Sequence, residues 1–190
     1  MLGLGAGGGG SEASPVLQRL FRPRPARQSA ALLYQAVTRQ ARRPDFYTLL
    51  GAPDTVEGRF ELYSLHVILL LERLRDQGPQ LGEVSQALFD AYVRALDDAL
   101  RDLGVGDLSV GKKMRRLGEA FYGRAKSYQQ ALVGHGADLE ALIVRTVYAG
   151  APNPGAAALT VYVRRCHAVL AQMDQAALLA GEPRWAEITA

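Results

Sequence analysis

Phe60-Glu-Leu-Tyr-Ser-Leu-His-Val-Ile-Leu-Leu-Leu-Glu-Arg-Leu74 is the most apolar stretch of the 190-residue chain. At about 100° per residue, its leucines, Val67 and Ile68 leave almost no polar face in the middle of a helix running from about Thr55 to Gln77. A helix that is apolar around most of its girth is covered on most sides, which places this one at the centre of a bundle. The uninterrupted apolar run, Val67 to Leu71, lies between His66 and Glu72. It is far shorter than the roughly 20 residues needed to span a bilayer. His66, inside the run, is expected to be a core histidine satisfied by a carbonyl or carboxylate.

On either side of this stretch, helical periodicity recurs between breakers. Ser29 to about Arg42 reads as a helix, Pro44 to Leu50 as a short helical turn, and Gly51-Ala52-Pro53-Asp54 as a turn. After Gly78-Pro79, residues from about Gly82 to Leu103 form an amphipathic helix with Leu88, Phe89, Tyr92, Val93, Leu96, Leu100 and Leu103 on its core face. Gly104-Val105-Gly106 ends that helix, and Ser109 is expected to cap the next, over 109–133. Asp138 opens a shorter helix, 149–155 reads as a loop, and a last long helix covers about Ala156 to Leu179. Trp185 then packs back onto the body. No segment alternates as a strand and no repeat is present. The expected fold is all-α: a single-domain bundle of six to seven helices around the central apolar one, spanning 29–190, with 1–28 as a disordered Gly/Arg-rich tail.

The formal charge of +3 divides unevenly. Residues 1–43 carry seven arginines and one acid, and the remainder carries 15 cations and 18 acids. The body is therefore mildly acidic, which speaks against a surface given over to nucleic acid, and no DNA partner is expected. One cysteine, Cys166, leaves no intramolecular disulfide and fits a reducing compartment. The arginines of the tail follow a glycine run, the reverse of a secretory signal, and Pro15, Pro23 and Pro25 interrupt any amphipathic presequence helix.

The 109–133 helix has two faces. Val110, Met114, Leu117, Phe121, Tyr128 and Leu132 form a core stripe. Opposite lie Lys112, Arg115, Tyr122 and Lys126 around Glu119, with Arg116 at the flank; these cations are candidates for a polyanion, though a solvated charged face looks the same. Lys113 and Arg124 fall close to the apolar stripe, where cations need partners, and Asp107, Asp97, Asp98 and Glu72 are the carboxylates expected to reach them.

Catalytic chemistry is thinly represented. Histidines 66, 135 and 167 share no metal-ligand spacing with one another or with Cys166. Cys166 and His167 are neighbours on a helix and diverge by about 100°. Gly104-Val105-Gly106 follows a helix where a phosphate loop would follow a strand. The expectation is a binding protein without catalytic residues, metal or cofactor.

Two blocks carry a resemblance. Phe46-Tyr47, then Gly51-Ala52-Pro53-Asp54-Thr55-Val56-Glu57-Gly58-Arg59-Phe60, Leu65-His66 and Leu71-Glu72-Arg73-Leu74 form the first. Gly104-Val105-Gly106-Asp107, Ser109 to Met114 (including Gly111) and Phe121-Tyr122-Gly123-Arg124 form the second. In order and spacing the chain resembles the ubiquinol–cytochrome c chaperone family, over about Ser29 to Trp185. The resemblance implies an all-helical assembly factor for the cytochrome bc complex that holds newly made cytochrome b or its assembly intermediate. It implies a place at the inner face of the membrane, or on the matrix side in mitochondria. There, members act with a small partner protein at the ribosome; no feature here identifies that partner, and the short arginine-rich lead-in looks like the bacterial members. The expected role of Lys112, Arg115, Arg116, Tyr122 and Lys126 is contact with an anionic membrane surface or with the ribosome. An RNA-binding helical module and an isoprenoid pocket are the competing readings.

Overall fold

The computed structural model describes residues 25–134 and 136–189, with only the backbone at 107, 108, 136 and 137. The tail expected over 1–28 lies outside the described residues, except for 25–28, which are helical. The helices are α1 (Pro25–Ala41), α2 (Asp45–Thr48), α3 (Val56–Leu74), α4 (Pro79–Asp102), α5 (Asp107–Val133), α6 (Gly136–Thr146), α7 (Gly155–Ala171) and α8 (Gln175–Leu179). No strand occurs among the described residues. The helices pack as one all-α domain.

The stretch read as central is central. Helix α3 packs against α1, α4, α5 and α7. Leu62, Leu65, Val67, Leu70 and Leu74 have no exposed surface. Thr55 caps its N-terminus by accepting from the Gly58 amide at 3.0 Å. Gly58 belongs at that turn for a steric reason: a Cβ there would lie 2.0 Å from the Pro53 carbonyl oxygen. At the other end, Arg73 donates to the Leu170 and Met173 carbonyls at 2.8 and 2.6 Å, tying the end of α3 to the chain at the end of α7.

Several boundaries differ from the sequence reading. Helix α1 begins at Pro25, where a proline at the start of a helix gives up no needed amide. Ser29 is therefore inside α1, and its hydroxyl donates to the Leu179 carbonyl instead of capping. Helix α5 begins two residues before Ser109, with Gly106 at the cap. The last long helix is two helices: the chain breaks after α7, and Asp174 caps α8 by accepting from the Ala177 amide at 2.7 Å. Trp185 does pack back, its ring centroid 5.1 Å from that of His66.

An apolar groove beside a cationic helix

The C-terminal half of α4 supplies the site. Leu81, Val84, Leu88 and Tyr92 are buried, as an amphipathic helix requires. Further along, Leu96 and Leu100 are only half covered, and Leu103 is 63% exposed. The apolar face continues, but its neighbours leave it partly uncovered. The result is an open groove of about 1040 Å³. Helix α1 and its end contribute Tyr34, Ala41 and Arg42; the following turn contributes Pro44 and Tyr47; and α3 contributes Val56, Phe60 and Tyr63. Leu117 of α5 closes one side, and Asp54, Glu57 and Arg59 stand on the rim.

Aromatic side chains stiffen the floor. Tyr34 and Tyr63 meet edge to face at 5.6 Å, and Tyr63 stacks on Tyr92 at 6.1 Å. The hydroxyls of Tyr63 and Tyr92 are satisfied by Thr38 at 2.6 Å and Ser64 at 2.7 Å. Burial pushes the Tyr34 and Tyr92 phenols upward, so they remain neutral at any physiological pH. The rim carries an exposed ion pair, Asp54 to Arg59 at 2.6 Å; the guanidinium holds the Asp54 carboxyl below its ordinary range.

Helix α5 separates the groove from its charged face. Val110, Phe121, Tyr128 and Leu132 are buried, and Met114 and Leu117 are half-buried. Lys112, Arg115, Arg116, Tyr122 and Lys126 all stand exposed. Tyr122 lies over Phe89 at 5.5 Å, beside a smaller hollow of about 340 Å³.

Arg124 is in an ion pair, but with none of the four carboxylates expected from sequence. Its Nε donates to Glu61 Oε2 at 2.6 Å and its Nη2 to Glu61 Oε1, a two-pronged bond to the central helix. Its guanidinium also lies 5.7 Å from the Phe60 ring centroid. Asp107 begins α5, 17 residues before Arg124 and thus about 25 Å away along the axis. Glu72 and Asp97 are engaged locally, with Arg75 and Arg101, and Asp98 is exposed. Lys113 is exposed, so solvent satisfies the cation that the helical wheel placed near the core. The Asp107 side chain lies outside the described residues.

His66 is a satisfied core histidine. Its Nδ1–H donates to the Leu62 carbonyl at 2.6 Å, so Nε2 accepts from the Tyr162 hydroxyl at 2.7 Å. Gln40 donates to the same hydroxyl at 3.0 Å. Burial lowers the His66 pKa to about 4. Phe46 packs its edge against both rings, at 5.4 and 5.1 Å. Cys166 is buried, accepts from the Ala186 amide at 3.3 Å, and is pushed up by burial, so it is no nucleophile. Among the described residues no cluster of metal ligands occurs, and no helix is long and apolar enough to cross a membrane.

The residues of the first sequence block thus have two jobs. Tyr47, Asp54, Arg59 and Phe60 line the groove, whereas Phe46 and His66 are in the sealed core. Val56, Tyr34, Tyr63 and the α4 leucines are site residues that the sequence reading did not pick out as such. The only signal for them was an apolar face on α4 longer than its partners.

The structure thus defines an all-α domain with an open, aromatic-floored groove on its surface. The chain belongs to the ubiquinol-cytochrome C chaperone family, whose model matches residues 48–185. It is similar to the Cbp3 homolog from Brucella abortus, known from a crystal structure. The TM-score is 0.81 at 32% identity, over 91% of this chain and 97% of that one. Comparison with curated protein sequences gave no match.

Proposed function

We propose that this protein is a non-catalytic assembly chaperone that holds newly made cytochrome b while the cytochrome bc complex is put together at the membrane. The observation that carries this reading is the groove of about 1040 Å³, to which Tyr47, Asp54, Val56, Glu57, Arg59 and Phe60 of the first sequence block contribute. A polytopic client exposes apolar segments until its helices pack, and an apolar groove lowers the cost of that exposure. The exposed cations Lys112, Arg115 and Lys126 are on the other face of α5, with Arg116 at its flank. They supply attachment to anionic headgroups, each contributing about 1 kcal/mol near such a surface. The same cations would suit ribosomal RNA, but Tyr122 is the one aromatic among them, and strand binding generally uses several.

The test is deletion in the source organism followed by difference spectroscopy of the membrane cytochromes. Selective loss of the b-type signal is expected, restored by the unaltered chain and not by Leu100→Asp, which places a charge on the groove floor. An unchanged b-type signal in the deletion strain would refute the reading.

A further inference from the structure

Two of the most exposed large apolar side chains stand at the edge of the groove. Val56, at the start of α3, and Leu103, just past the end of α4, are 62% and 63% exposed, and both line it. Across the mouth is Leu117 of α5. Lys113 lies one turn before Leu117 on the same face, and Arg116, three residues after Lys113, stands at the flank; both are exposed. Every charged residue between Leu108 and Gly118 is a cation. The acids near the mouth are Asp54, already paired with Arg59, and Glu57 on the α3 side, and Asp102 beside Leu103 at the end of α4.

Exposed aliphatic side chains on one side of the mouth and a band of cations on the other suit one kind of partner: a surface with an apolar interior and an anionic skin. RNA answers the cations but has no use for Val56 and Leu103, since its affinity comes from phosphate contacts and aromatic stacking. The cytoplasmic loops of a membrane protein are rich in Lys and Arg, so this edge repels them. We infer that the mouth of the groove is seated on an anionic bilayer, with Val56 and Leu103 at the headgroup–acyl boundary and Lys113 and Arg116 on lipid phosphates. The groove then opens onto the membrane interface, and an apolar segment enters it without crossing bulk water. What enters the groove rests on the chaperone reading above; the seating of the mouth does not.

The experiment uses the full chain with phosphatidylcholine vesicles containing phosphatidylglycerol, in flotation and in fluorescence. Leu103→Trp and Val56→Trp are expected to shift to the blue on binding and to be quenched by lipids brominated on the acyl chain. Val133→Trp is the control, because Val133 is 86% exposed but at the far end of α5, roughly 30 Å from Lys113; it should do neither. Combined Lys113→Glu and Arg116→Glu should lower vesicle partition by about tenfold or more at low salt. Flotation of the unaltered chain with no quenching at either mouth tryptophan would overturn the inference, leaving attachment through the outer cations. Failure to float, with ribosomal RNA bound instead, would overturn both the inference and the membrane attachment; the cytochrome spectra would still decide the chaperone reading.

Discussion

Helix α3 faces two apolar regions that are built from the same residue types and end differently. Towards α7, Phe46, His66, Tyr162 and Trp185 interlock, and the polar atoms they bury are satisfied within the protein. Towards α1, α4 and α5, Tyr34, Phe60, Tyr63 and the α4 leucines line a floor with nothing over it. The first region is closed by complementary shape and contributes stability. The second keeps apolar area exposed to water, an unfavourable state that something bound can relieve. Stability and function are therefore separable on opposite faces of one helix.

Mutation on the closed side should have the largest effect. Leu65 has no exposed surface, and Leu65→Ala is expected to lower unfolding free energy by about 3 kcal/mol, read from denaturant midpoints. On the open side, Leu100→Asp should cost less than about 1 kcal/mol. Equal losses at the two positions would erase the distinction.

Acid should also act on the closed side. Folded His66 stays neutral, with its pKa lowered from 6.5 to about 4, while the unfolded chain takes up a proton near the ordinary value. Its contribution is fully present above about pH 6.5 and is lost as pH falls towards 4, by about 3 kcal/mol in all. Denaturant midpoints measured across that range should slope, and His66→Gln should flatten the slope even if its stability is lower throughout. A variant with an unaltered slope would place the acid sensitivity elsewhere.

A smaller loss than at Leu65 is expected on the boundary between the two regions. Glu61→Ala leaves the half-buried Arg124 without its partner, at an expected cost of about 2 kcal/mol. Pairing Glu61→Leu with Arg124→Met should recover most of that loss in the same unfolding assay, because two apolar residues need no mutual desolvation. No recovery would mean that the pair does more than satisfy itself.

The fold was legible because helical periodicity is local. The girth of α3, the breakers at Gly78-Pro79 and Gly104-Val105-Gly106, and the stripe on α5 each follow from neighbours within a few turns. The errors came from ambiguous local signals and from long-range partners. Pro25 can stop a helix or start one, and Asp174 inside an apolar pattern can be a surface residue or a cap. The Arg124 partner is 63 residues away on another helix, beyond the reach of a helical wheel. The groove was illegible for a similar reason: Leu96, Leu100 and Leu103 have core spacing, and no pattern within α4 says that its neighbours stop short of covering them. The exposure of Lys112, Arg115, Arg116, Tyr122 and Lys126 could be read from the wheel; what they touch could not.

The segment carrying Trp185 and Ala186 has a consequence for how the domain responds to acid. The indole sits on His66, the Ala186 amide reaches Cys166, and Ile188 is 8% exposed. The buried His66 is thus shielded by residues that follow the eight described helices in the chain. Trp185 is part of the packing that buries the imidazole, and burial is what lowers its pKa, so the acid sensitivity of the folded domain is set in part by this late stretch of chain.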